Sequence, residues 1–165
     1  MSLIILLALF ASILALSFAV FNYITVKRMP EGNEKMREIA GAIRIGANAF
    51  ISYENKILYL TVAFVAVVLV VLTTWHAAVA LVIGSLMSGL AGLVGMKAAT
   101  YTNVRVTNKA NESRSIGETV KVAYRGGSVM GLSVGGFALL GLFIIYMVFG
   151  VGMGQAAETE ASFTN

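Results

Sequence analysis

Four long runs of apolar side chains restrict the folding of this chain more than any other feature. They cover 3–26, 57–75, 77–96 and 126–152, each close to the ~20 residues that carry an α-helix across a bilayer core. The expected fold is therefore all-α: a polytopic membrane protein with four transmembrane helices. Composition agrees, since 58% of residues are hydrophobic and 12% charged, against roughly 25% charged in a soluble domain. The first run has its cations, Lys27 and Arg28, after it rather than before it. That order marks a retained span, not a cleaved signal peptide.

Orientation follows from the polar segments. The segment 97–125 carries Lys97, Arg105, Lys109, Arg114, Lys121 and Arg125 against only Glu112 and Glu118. Such an excess between two spans marks a cytoplasmic loop and places both termini outside. The net charge of +4 and pI near 9.5 thus report membrane orientation rather than a nucleic-acid partner. Within this segment Ser115-Ile116-Gly117-Glu118 has capping-box spacing, so a helix is expected to start near Ile116 and run into the fourth span.

The segment 27–56 begins with a turn. Pro30, the only proline, and Gly32 end the first helix, and Asn33 is placed to cap the next. From Glu34 to about Glu54, Met36, Ile39, Ile43, Ala47, Phe50 and Ile51 form an apolar stripe, with Glu34, Lys35, Arg37, Glu38 and Arg44 elsewhere. This pattern fits a cytoplasmic extension of the second helix, but by itself it favours an amphipathic helix on the membrane surface. The tail 153–165, with Glu158 and Glu160, reads as exposed.

Few residues invite a chemical role. Trp75 suits a membrane-interface anchor at the end of the second span. His76 beside it is a proton-relay candidate or a wetted loop residue. Arg125, two to three turns into the last helix, suits a phosphate, a carboxylate or lipid headgroups, and Tyr124 an interfacial aromatic. Glu34 and Glu38, one turn apart, have cation-sharing spacing, although Lys35 and Arg37 favour a self-paired solvated face. Glu54 stands only at the edge of a span. Gly84, Ser88, Ala91, Gly92 and Gly95 in the third span, and Gly127, Gly131 and Gly135 in the fourth, read as faces for close helix packing. The many glycines do not form a nucleotide loop, because no Gly-Lys-Ser/Thr pattern accompanies them. The chain has no cysteine, and its eight acids are all Glu, so a site needing clustered aspartates is not housed here.

Two sequence blocks carry a resemblance. Gly95-Met96-Lys97-Ala98-Ala99-Thr100-Tyr101-Thr102-Asn103-Val104-Arg105-Val106-Thr107, followed by Lys121-Val122-Ala123-Tyr124-Arg125-Gly126-Gly127-Ser128-Val129-Met130-Gly131-Leu132, resembles the third-to-fourth span region of the membrane-bound, ion-pumping pyrophosphatases. Upstream, Lys35 to Ala40 and Ile43 to Phe50 are similar to that family's long second helix, and the similarity extends from the first span to about Phe149. Tyr124 stands where the family usually has Phe, and Ser128 where Ala is common.

The resemblance favours the cytoplasmic extension over the surface helix, with the second and fourth helices extended into the cytoplasm. It implies the N-terminal portion of a pyrophosphate-energised pump that couples hydrolysis to proton or sodium translocation. It further implies magnesium as cofactor, pyrophosphate as substrate, membrane lipid and downstream helices of the same pump as partners, and a homodimer when complete. The chain stops where the family continues into its catalytic helices, so no catalytic, cofactor-binding or metal residue is assigned, and the chain alone is expected to be inactive. The alternative is a free-standing four-helix membrane scaffold or assembly subunit without chemistry. Its support is the lack of an acid or base in the central part of the spans.

Overall fold

The computed structural model describes residues 3–151. The expected tail, 153–165, with Glu158 and Glu160, lies outside the described residues. Four long helices account for nearly all of the described chain: α1 Leu3–Lys27, α2 Glu34–Leu72, α3 Trp75–Ser113 and α4 Ile116–Ile145, the last continuing as a π-helical turn Tyr146–Val151. All four are long and apolar enough to cross a membrane. This is the all-α, four-span architecture expected from the runs.

The connections are shorter than the sequence suggested. Segment 97–125 is not a loop: α3 continues to Ser113, and only Arg114 and Ser115 separate it from α4. Thr, Asn and Val between Thr100 and Asn108 are weak helix formers, which favours the loop reading. Tertiary burial overrides them, because Thr100, Thr102, Val104, Arg105 and Asn108 all face the interior. The hydroxyls of Thr100, Thr102 and Thr107 donate back to carbonyls one turn earlier, so they remain satisfied inside the helix. Likewise Trp75 opens α3 rather than ending the second span, and Thr73-Thr74 is the turn. The long extensions therefore belong to α2 and α3 as well as to α4. At 39 residues each, α2 and α3 are about 58 Å long, beyond the ~45 Å of a bilayer with its headgroups. One end of each must project.

Caps were partly legible. Asn33 accepts from the Met36 amide at 2.9 Å, as its position before α2 suggested. Helix α4 does begin at Ile116, but Ser115 makes no side-chain capping bond. Glu118 turns instead to Lys109 on α3, 2.7 Å away, and this cross-helix partner replaces the capping box.

In space the helices run α1, α4, α3, α2: α4 packs on α1 and α3, and α2 principally on α3. Ala19, Ala98 and Val129 form the tightest core, with Tyr23, Val94 and Leu132 against it. Buried Ser12 donates to the Gly136 carbonyl at 2.8 Å and Asn22 to Ser128 at 3.0 Å, polar ties of the kind that hold helices together in lipid.

The contact face of α4 is not the Gly127, Gly131 and Gly135 stripe. Those three have open space where a side chain would begin and are exposed. The buried set is Val122, Gly126, Val129, Ser133, Gly136 and Gly141, rotated by about 100° per one-residue shift. A Cβ on Gly126 would run into Thr102, and one on Gly136 would come within 2.8 Å of Leu16. On α3 the same holds: Ala91 and Gly95 are buried, while Gly84, Ser88 and Gly92 face outward.

Candidate functional site

At the end where α1 gives way to α2, the structure assembles a cluster of charges that was not evident from sequence. Its acid is Glu31, in the turn after Pro30. Gly32 follows with φ +87°, and a side chain there would also strike Met36 and Asn108. Arg44, three turns into α2, meets Glu31 through both terminal nitrogens, at 2.6 and 3.4 Å. Arg105 on α3 meets the same carboxylate at 3.0 Å.

Arg105 is the deepest charge, with 4% of its side chain exposed. Its fork also donates to the backbone: Nε to Met29 O at 3.0 Å, and the two terminal nitrogens to Lys27 O at 2.8 Å and Tyr101 O at 2.6 Å. The Lys27 and Met29 carbonyls lie at the C-terminus of α1, where helices leave acceptors unpaired and the macrodipole is negative. A side chain from another helix therefore caps α1. Asn108, one turn on, adds bonds to Pro30 O and Glu112.

Aromatic faces complete the cluster. The Arg44 guanidinium lies 4.2 Å from the Tyr101 ring centre, with Arg105 and Lys27 also over that ring at 5.6 Å each. Tyr23 meets Tyr101 edge to face at 6.2 Å. Arg44 Nε is buried without a hydrogen-bond partner; the guanidinium over the Tyr101 ring gains cation–π attraction instead. The Arg44 hydrogen bond holds the Glu31 carboxyl below the usual glutamate range, the Arg44 and Arg105 charges acting the same way and partial desolvation opposing them.

This arrangement is suited to holding helices, not to turning over a substrate. Every cation in it is committed to a carboxylate, a carbonyl or a ring. The signals for it were Tyr101 and Arg105 one turn apart, with no Gly or Pro between Met96 and Ile116. Their partners, Lys27, Met29, Glu31 and Arg44, lie far back in the chain and carried none.

The residues singled out from sequence are scattered. Glu34, Glu38 and Glu54 are exposed, and Arg37 donates to Gly32 O rather than joining a carboxylate pair. His76 is part of the first turn of α3, not a loop; its ring lies 4.1 Å from Trp75 and 5.3 Å from Phe149, tying the start of α3 to the end of the last span. Tyr124 is 77% exposed, as an interfacial aromatic would be. Arg125 is exposed too and lines a concavity with Met29, Lys109, Glu118, Lys121 and Val122. Among the described residues no three His, Cys or acidic side chains come together as a metal site would need. Magnesium requires hard oxygen donors, and these residues do not supply a set that fits it.

Four membrane-length helices, tied at one end by buried charge, define a multi-pass α-helical membrane protein. Within that class the lineage is specific. Residues 13–164 match the family model described as inorganic H+ pyrophosphatase, and the chain belongs to that family. It is 51% identical over 143 residues to a K(+)-stimulated pyrophosphate-energized sodium pump of Thermotoga maritima, covering 87% of this chain and 20% of the relative. It is 34% identical over 164 residues to a K(+)-insensitive pyrophosphate-energized proton pump of Methanosarcina mazei, covering 93% and 24%. A putative K(+)-stimulated sodium pump of Clostridium tetani is 36% identical over 159 residues, 93% and 23%. The chain thus spans about a fifth of the length of the curated relatives it matches.

Proposed function

We propose that this chain is the N-terminal membrane part of a pyrophosphate-energised pump, in which hydrolysis of pyrophosphate drives a proton or a sodium ion across the membrane. The observation that carries the reading is the family match over residues 13–164, joined to relatives named as pumps of both ions. In this reading the four helices form part of a wall around catalytic helices supplied by the remainder of the pump. Magnesium, pyrophosphate and pairing into a homodimer belong to that larger assembly. The chain's own residues hold α1, α2 and α3 in register through Glu31, Arg44 and Arg105. The basic segments lie in the cytoplasm and both termini outside, a topology supported by the cation excess around 27–44 and 97–125.

The test is phosphate release in lipid vesicles. The purified chain alone is expected to release none with magnesium present, because eight dispersed glutamates do not neutralise a multiply charged anion and its metals. Co-expression with a Thermotoga maritima pump lacking its matching fifth is expected to restore release. Release by the chain alone, or failure to complement while correctly inserted, would overturn the assignment. Orientation is read separately: a cysteine at position 76 is expected to react with an impermeant reagent on intact cells, and one at position 110 not to react.

A further inference from the structure

The concavity around Arg125 has a composition that the pump reading does not use. It is a space of about 310 Å3 between the turn after α1, the projecting end of α3 and the first turns of α4, lined by Met29, Lys109, Glu118, Lys121, Val122 and Arg125. Lys109 and Glu118 neutralise each other at 2.7 Å. That leaves Lys121 and Arg125, with no carboxylate within 4 Å of either among the described residues, facing one opening. The Arg125 carbonyl accepts from Ser128, which in turn is held by Asn22 of α1, so the base of the Arg125 side chain is fixed to the neighbouring helix.

Depth decides what such a pair of cations meets. The apolar run of α1 ends at Val26 and that of α4 begins at Gly126. The Asn22–Ser128 bond sets these two levels side by side. Met29, Lys121 and Arg125 therefore lie just beyond the hydrocarbon, where lipid phosphates reside. Exposed Tyr124 stands beside Arg125 at the same level, as interfacial aromatics do. Met29 and Val122 give the space an apolar flank, and a water needs only about 30 Å3, so a headgroup phosphate with its waters fits.

We propose that Lys121 and Arg125, backed by the Lys109–Glu118 pair, form a binding site for the phosphodiester of an anionic phospholipid in the leaflet adjoining the basic end of the bundle. Arg125 supplies a planar fork to the phosphate oxygens, and Lys121 a point charge from one turn earlier on the same helix. Lys109, by pairing with Glu118, offsets the acid that lines the opening, while Glu112, held by Asn108, acts on Lys109 from the far side of that pair. The contact ties lipid to α4 at the level where α4 meets α1.

The experiment measures lipid preference of the full chain in nanodiscs or mixed micelles, using spin-labelled phosphatidylglycerol against phosphatidylcholine. A basic residue near the surface is worth about fivefold in anionic-lipid affinity, so Lys121→Gln/Arg125→Gln is expected to reduce the phosphatidylglycerol preference by about 25-fold. Arg28→Gln/Lys35→Gln removes the same charge elsewhere on the basic end, measures the general surface attraction, and is expected to reduce the preference less than Lys121→Gln/Arg125→Gln does. All four side chains are exposed, and an unchanged helical circular dichroism spectrum verifies folding. The effect should shrink in high salt. Inorganic phosphate and pyrophosphate form the second arm. Competition by either at low millimolar concentration, or equal losses in the two double variants, would overturn a lipid site. Retention of the preference in Lys121→Gln/Arg125→Gln would overturn it as well.

Discussion

Replacing Glu31 by glutamine removes one negative charge and leaves two arginines facing each other across the α1–α2 turn. Arg44 loses the only carboxylate it meets among the described residues, at 2.6 Å, and Arg105 loses one partner at 3.0 Å while keeping its three carbonyls. Breaking a fully buried pair costs about 3–5 kcal/mol. Here Arg44 and Glu31 retain 22% and 23% exposure, so water compensates part of the loss and about 2–3 kcal/mol is the better expectation. For a chain of this size that corresponds to a melting shift of roughly 5–10 °C. The assay is thermal unfolding of the detergent-solubilised chain by circular dichroism, paired with limited proteolysis at Arg28. Opening should be concentrated there, because Arg105 and Glu31 together hold the turn. The double variant Glu31→Gln/Arg44→Met provides the cycle: Arg44→Met should cost at least about 1 kcal/mol less when Glu31→Gln is already present than in the parent. A shift under about 1 °C for Glu31→Gln, or strict additivity in the cycle, would show that the cluster is a bystander and that α2 is positioned by its packing on α3 alone.

Acid should mimic that substitution. Because Glu31 has a folded-state value below its ordinary one, its contribution is complete at neutral pH and declines as pH falls below about 4.5 through the folded value; Glu31→Gln should flatten that part of the stability profile. Gly126→Leu should abolish stable association of α4 with α3, since even a Cβ meets Thr102, whereas Gly131→Leu, with open space around it, should shift the melting point of the isolated chain by less than about 2 °C; the reverse order would mean α4 is rotated. Arg114 closes α3 in the left-handed region, φ 50°, so Arg114→Gly should raise stability by about 1 kcal/mol, measured by the same melt.

Much of this protein is determined by the sequence itself. Continuous apolar runs of bilayer length leave only spans, and in lipid a span is a helix because each amide must find its partner within the segment. Pro30, Gly32 and Asn33 mark the first turn and the start of α2 through local backbone chemistry that needs no neighbour. What depended on other helices was decided only by the tertiary structure. The polar stretch from Lys97 to Ser113 is helical because Thr102 is buried against α4, Arg105 against the end of α1 and Val104 beside α2, a cost in propensity repaid at distance. Two glycine registers on α4 satisfy the same small-residue rule, and the one that faces α1 and α3 was selected by Leu16 and Thr102, which have no local signature. The Glu31, Arg44 and Arg105 cluster joins a turn and two helices whose charges, taken along the chain, look like ordinary solvated residues. Electrostatic pairing between distant segments, as between Glu31 and Arg105, is a property of packed helices, and the amino-acid order alone does not record which charges will meet.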